Sequence, residues 1–264
     1  MRLDGRVAIV VGGGQTPGDT IGNGRATAIL FAREGAHVLV ADRDLASAEQ
    51  TRAMIAAEGG RSDTIEVDVT READCVRLAE TCVERHGRID ILHNNVGIGT
   101  GDAGVQHIEL ETFERIFRVN LEGPLLTCKH VLPVMRAQGS GVIINISSMA
   151  SVAAATGIVA YKTSKAALNA LTQTLAMANA RHGIRVNAIL PGLINTPMAI
   201  EGISAARGIT KEQLIAERDR QVPMGRMGTA WDVAKAAVFL ASDDAAFITG
   251  VLLPVDGGQS VRVG

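Results

Sequence analysis

Two spacings of apolar residues alternate along the chain. Compact apolar runs rich in Val and Ile cover residues 6–11, 36–41, 62–67, 89–93, 142–146, 185–190 and 251–255. Each run is short and bounded by turn-forming residues, the signature of a strand buried on both faces. Between them lie longer stretches in which apolar residues return every three or four positions: residues 25–34, 45–58, 70–86, 110–137, 161–181 and 230–241. That period predicts helices. Gly59 and Gly60 close the second helix, Thr70 is a plausible cap for the third, and Pro191-Gly192 break the sixth strand. Strands alternating with helices make βαβ units, and right-handed crossovers place the helices on both faces of a parallel sheet.

Two stretches depart from this rhythm. The helix over residues 110–137 contains Asn120, Gly123, Pro124 and Pro133. A proline inside a helix removes a hydrogen bond and clashes with the preceding turn, so a distortion is expected at residues 120–124. Such a distortion would free the Asn120 carbonyl to hold an ordered water. Residues 199–228 carry many charges, four glycines and Pro223, and are expected to form a mobile lid with a short helix near residues 210–220.

Composition narrows the classes. A chain of 264 residues that is 47% hydrophobic suits one large α/β domain spanning residues 1–264. A net charge of −2 and 3% aromatics give no case for nucleic acid or an anionic membrane. No apolar run reaches bilayer length and the first residues lack a signal-peptide core, so the expected location is cytoplasmic. Cys75, Cys82 and Cys128 are odd in number and lack CxxC spacing, which suggests reduced, buried thiols. The six histidines show no metal-ligand spacing, and no protein-bound metal is expected.

The first strand runs into Gly12, Gly13 and Gly14 and, after a longer loop, Gly22 and Gly24 before a helix. Strand, glycine turn and helix together make a phosphate site: the backbone can approach closely, and the helix N-terminus offers free N–H groups. Asp42 ends the second strand, eighteen positions after Gly24, where a carboxylate would accept hydrogen bonds from a ribose 2′-hydroxyl. A 2′-phosphate would be repelled there, which favours NAD over NADP, although Arg43 beside it argues the other way. Asp68 and Asn95 follow the third and fourth strands, so four strand ends carry ligand-binding chemistry on one edge of the sheet. Tyr161, the only tyrosine, precedes Lys165 by four positions, one helical turn. An ammonium there would lower a phenol pKa from about 10 and make Tyr161 a usable acid and base. Ser148, just past the fifth strand, is placed to hydrogen-bond a substrate oxygen.

This ordered set resembles the short-chain dehydrogenase/reductase family over nearly the whole chain. The resemblance rests on the Gly12 to Gly24 turn, Asn94-Asn95-Val96-Gly97, Asn120, Gly141 to Ser148, Tyr161 with Lys165, Pro191-Gly192 and Val255-Asp256-Gly257-Gly258. It implies a Rossmann-type doubly wound sheet of about seven strands, a nicotinamide cofactor and a homotetramer or homodimer. It also implies a catalytic Asn120–Ser148–Tyr161–Lys165 tetrad; the family's spacing of thirteen before the tyrosine selects Ser148 over Ser147. By the same resemblance Asp68 and Val69 line the adenine pocket, and Asn95, Val96 and Gly97 lie by the adenosine ribose. Pro191, Gly192, Ile194 and Thr196 lie near the nicotinamide carboxamide and pyrophosphate. The chain departs from the family at Val11 and Val96, and nine residues, Gly13 to Ile21, replace the usual three between the first motif glycines. Either Gly22 and Gly24 or Ile21 and Gly22 take the later motif places. Thr16 or Thr20 could donate a hydroxyl to the pyrophosphate, and Asp19 should point away from it.

The expected activity is reversible hydride transfer between a nicotinamide cofactor and a small-molecule secondary alcohol or its ketone. Tyr161 would take the hydroxyl proton, Ser148 would orient the oxygen, and Lys165 would lower the tyrosine pKa and bind the nicotinamide ribose. A water on Asn120 would extend a proton relay. The alternatives are an NADP-dependent 3-oxoacyl thioester reductase and a non-catalytic nucleotide-sensing protein. The substrate pocket is expected after Gly97, across residues 149–159 and under the lid, with Met149, Met198, Met224 and Met227 as adaptable linings or as ordinary core.

Overall fold

The computed structural model describes residues 1–153 and 156–262. Its first half is three βα units: β1 Val7–Val11, α1 Asn23–Arg33, β2 His37–Asp42, α2 Leu45–Ala57, β3 Arg61–Glu66 and α3 Glu72–His86. The second half holds β4 Ile91–Asn94, α4 Leu110–Phe117, α5 Gly123–Gln138, β5 Gly141–Ile146, α6 Val159–Asn179 and β6 Ile184–Pro191. There follow β7 Ile194–Asn195, α7 Pro197–Arg207, α8 Lys211–Asp219, β8 Gly228–Thr229, α9 Ala230–Ala241 and β9 Leu252–Val255. Seven strands form one sheet in the order β3-β2-β1-β4-β5-β6-β9, and every neighbouring pair is parallel. β7 and β8 make a separate two-stranded ribbon.

The apolar runs are explained by burial on both faces. Ala8 and Val10 pack with Ile29, Phe31, Val233 and Val238 on the α1–α9 side. Val7, Ile9 and Val11 point the other way, onto Leu78, Val131 and Met135. A central strand with helices on both sides leaves no polar face, so continuous Val and Ile runs replace alternation. The chain winds outward from β1 to β3, then returns to lay β4 on the other side of β1. The crevice at that reversal, beyond the strand carboxyl ends, is where such sheets take ligands.

The expected distortion near Asn120 is a π-helical turn, Arg118–Glu122, joining α4 to α5. The Gly123 N–H donates to the Arg118 carbonyl, an i to i−5 bond. Pro124 then falls in the first turn of α5, where its missing N–H is harmless. Two expectations need correcting. Thr70 does not cap α3: its hydroxyl donates to Asp68 (2.7 Å), and Arg71 holds the cap position. The short helix expected near residues 210–220 is α8, but the chain before it is a second ordered helix, α7, where irregular chain was expected. α8 opens with a Thr210–Gln213 capping box, and Ile200, Leu214 and Met227 form a small core beneath. Of the four methionines, Met227 belongs to that core and Met149 packs on Ala188 and Leu190, while Met198 and Met224 are exposed. Within the expected pocket wall, Ala154 and Ala155 lie outside the described residues, as do Val263 and Gly264 at the end of the chain.

Candidate active site

The glycine turn is built by close approach. Gly12, just past β1, adopts φ +76° and its N–H donates to the Ala41 carbonyl (2.8 Å). A Cβ on Gly24, in the first turn of α1, would sit 1.9 Å from the Gly12 carbonyl oxygen. Only glycine lets the helix N-terminus rest on the turn. Gln15 closes the loop at residues 13–21: its amide donates to the Thr20 carbonyl (3.3 Å) and its oxygen accepts from the Gly22 N–H (2.9 Å). Ile21, partly buried, packs on Ala26, Ala230 and Ala234. Thr16 is exposed. Asp19 turns outward as expected, onto Lys211 of α8 (2.7 Å), which also holds Glu201 of α7 (2.7 Å).

The remaining strand ends gather beside the turn. The Asp42 carboxylate accepts from the Gly14 N–H (2.9 Å) and the Asp44 N–H (3.0 Å), which aims it at the turn. Asp68 accepts from the Thr70 N–H (3.0 Å), and its own N–H donates to Asp74 (3.0 Å). Val69 is buried against Gly123. A cleft of about 500 Å³ lies here, lined by residues that include Arg43, Asp68 and Arg71. Asn95 donates to the Gly12 carbonyl (3.1 Å), Val96 covers Gly12, and Gly97 leaves room for the Lys165 ammonium, which a Cβ would meet at 2.9 Å. Beyond β6, the Gly192 N–H donates to the Val255 carbonyl (3.0 Å), and Pro191 is the last residue of the strand. Ile194 is buried in the core, and Thr196 is the buried N-cap of α7.

Tyr161, Lys165 and Ser148 meet where β5 ends and α6 begins. Lys165 is 2% exposed and donates to the Ile146 carbonyl (2.8 Å); its nitrogen lies 5.9 Å from the centroid of the Tyr161 ring. Ser148 accepts from the Ala150 N–H (3.1 Å). Ser147 is instead buried and donates to the Lys165 carbonyl (3.2 Å), so of the two serines it is Ser148 that faces the phenol. Asn120 clasps Ile98 through both its amide atoms (2.8 and 2.9 Å) and donates to Ser164 (3.1 Å).

Burial adds to the electrostatics an effect that the Tyr–Lys spacing does not show. Burial pushes the Tyr161 phenol up, and the Ser148 hydroxyl opposes this only in part. Burial also pushes Lys165 down to about 8. In the unliganded protein desolvation is the largest influence on both groups.

Several positioning residues carried no local sequence signal. The Asp102 carboxylate caps α6, accepting from the Ala160 N–H (3.1 Å) and the Tyr161 N–H (2.7 Å) across more than fifty residues of chain. Arg25 is buried behind the glycine turn, donating to Thr51 (2.9 Å) and the Ser47 carbonyl (3.0 Å), with its pKa lowered by burial. Ser47 in turn holds Gln15 (2.9 Å).

A glycine cradle at a helix N-terminus, a ribose-height carboxylate and polar strand ends in one crevice fit a dinucleotide; the tyrosine, serine and lysine at its far end fit redox chemistry on an oxygen-bearing carbon. The fold and site thus define a nicotinamide-dependent oxidoreductase. A family model described as Enoyl-(Acyl carrier protein) reductase matches residues 19–260. The chain is 39% identical to 2-(R)-hydroxypropyl-CoM dehydrogenase of Xanthobacter autotrophicus, covering 97% of this chain and 98% of the relative. It is 36% identical to a 3-oxoacyl-(acyl-carrier-protein) reductase of Thermotoga maritima, covering 98% and 99%. A solved structure of a protein from Burkholderia xenovorans, assigned to the short-chain dehydrogenase/reductases, superposes with a TM-score of 0.95 at 42% identity, covering 100% of this chain and 99% of that one. The chain belongs to the short-chain dehydrogenase/reductase family.

Proposed function

We propose that the protein interconverts a secondary alcohol and its ketone, with NAD favoured over NADP. The observation that carries this reading is the meeting of Tyr161, Ser148 and Lys165 at the open end of the crevice that the glycine turn begins. Gly12, Gly22 and Gly24 would hold the pyrophosphate, Asp42 the adenosine ribose, and Asp68 with Val69 the adenine. Asn95, Val96 and Gly97 would flank the ribose, and Pro191, Gly192, Ile194 and Thr196 the carboxamide, with Ile21 beside the glycine turn. A bound nicotinamide dinucleotide supplies hydride acceptance and return. In oxidation the Tyr161 oxygen takes the substrate hydroxyl proton, and in reduction it returns one. Ser148 donates a hydrogen bond that orients the substrate oxygen. Lys165, anchored on Ile146, supports the phenolate and reaches the nicotinamide ribose. Asn120 sits in the π turn, where an interrupted helical ladder would let its carbonyl hold a water for the relay.

Asp42 supports NAD, because a carboxylate beside a 2′-phosphate is repulsive. The relative from Thermotoga maritima supports a second reading, a 3-oxoacyl thioester reductase, for which Arg43 and Arg71 in the cleft would help to hold NADP. Among the described residues no helix is long and apolar enough to cross a membrane. A homodimer or homotetramer in the cytoplasm remains part of the proposal. The test is initial-rate turnover with each cofactor over secondary alcohols, free ketones and 3-oxoacyl thioesters. Preferential NAD turnover of an alcohol or ketone supports the reading. Preference for NADPH with thioesters would transfer it to the alternative, and cofactor binding without turnover of any substrate would leave a sensor.

A further inference from the structure

The histidine spacing suggested no metal ligands, yet the fold assembles a set that sequence distance hides. His37 opens β2, Asp63 lies on the neighbouring edge strand β3, and His86 is the last residue of α3, above them. In this register Asp63 pairs with Leu39, so His37 and Asp63 project from the same face of the sheet, towards α3. One oxygen of Asp63, Oδ2, lies 2.8 Å from His37 Nε2 and 3.1 Å from His86 Nε2. All three atoms fall within 4.8 Å of one another. The two rings are tilted at 47° with centroids 4.2 Å apart, so their nitrogens converge instead of stacking.

His86 supplies a second observation. Its side chain is only 10% exposed, and Nε2 is buried without a hydrogen-bond partner among the described residues although it is aimed at Asp63. A buried polar nitrogen facing a carboxylate without bonding to it is costly. A cation between them would satisfy both imidazoles and the carboxylate at once. Zinc bonds of about 2.0–2.2 Å place tetrahedral ligands about 3.3 Å apart, which small side-chain rotations reach from the observed separations.

We propose that His37 Nε2, His86 Nε2 and Asp63 Oδ2 bind one divalent transition-metal ion, with Zn²⁺ the best match for two imidazoles and one carboxylate. His37 and Asp63 are partly exposed, leaving water room to complete the shell. Neutral imidazole is the ligating form. Arg85 is the neighbouring cation whose charge works against the ion. The site lies far from the catalytic end of the sheet: His37 is five residues, about 16 Å of strand, before Asp42. The ion would therefore clamp the edge strand β3 to β2 and α3 without touching the chemistry.

The test is calorimetric titration of chelator-stripped full-length protein with ZnCl₂, paired with thermal denaturation. One ion per chain is expected, with micromolar or tighter affinity and a Tm rise of about 5 °C at a hundredfold excess over Kd. His37→Ala, Asp63→Asn and His86→Ala should each weaken binding by about a hundredfold. His130→Ala, at a separate surface pair with Glu72, should change nothing. Because His37 is partly exposed, H37A remains informative should H86A fail to fold. Affinity weaker than millimolar, or tight binding that survives both H37A and D63N, overturns the proposal.

Discussion

Lys165→Met should make the unliganded protein more stable while removing its turnover. The wild-type ammonium is almost fully buried, and burial holds it at about 8 in place of the ordinary 10.5. That difference corresponds to about 3 kcal/mol of folding free energy withheld at pH 7. Methionine has nearly the same length and no charge to desolvate. It leaves the Ile146 carbonyl without its 2.8 Å donor, which costs about 1 kcal/mol. The net gain is about 2 kcal/mol, or about 5 °C in Tm for a domain of this size. The sign reverses nothing at low pH: the unfolded chain keeps the lysine proton up to 10.5 and the folded chain only to about 8. Wild-type stability therefore recovers as pH rises between those values, and the advantage of K165M shrinks over the same window. Thermal denaturation of both proteins from pH 7 to pH 10.5 measures it. A variant less stable than wild type at pH 7, or a gap that ignores pH, would refute the burial penalty.

Three further substitutions probe other parts of the structure. Gly24→Ala must push α1 from the Gly12 carbonyl by about 1.1 Å merely to bring a 1.9 Å contact to 3.0 Å; cofactor affinity measured by calorimetry should fall about a hundredfold. His93 is wholly buried, neither ring nitrogen has a partner among the described residues, and burial pushes its pKa down to about 3. Its neutral ring loses stability to the protonated unfolded chain as pH falls below about 6.5, so His93→Leu should gain about 3 kcal/mol over wild type between pH 6.5 and pH 4 in urea titrations. Lys211→Ala cuts the ties from α8 to Asp19 and Glu201, and faster proteolysis within residues 13–21 is expected, with no change in the stability of the sheet.

The sheet was legible because its strands are buried on both faces and leave unbroken Val and Ile runs between glycines. The glycine turn, Asp42 and the Tyr161–Lys165 pair were legible because their chemistry depends on short spacings. What stayed hidden was set by distance and burial. Asp102 reaches α6 from a loop, Arg25 finds its partners on α2, and His37, Asp63 and His86 come from three elements. The helix α7 was missed because Gly202 and the surrounding charges mimic a loop. In the structure Gly202 faces open space, and Ile200 holds the helix down on Leu214 and Met227. The burial of Tyr161 and Lys165 was hidden for a related reason: a spacing reports which groups are neighbours, not how much water surrounds them.

The claim on which the account turns is that the Tyr161 oxygen carries the substrate proton. Tyr161→Phe removes that oxygen and leaves the ring beside Gly99. Steady-state turnover of the best alcohol, measured beside cofactor affinity and Tm, tests it most directly. A loss of about a thousandfold with affinity and Tm intact is the expected result. Near wild-type turnover by the folded, cofactor-binding variant would contradict it.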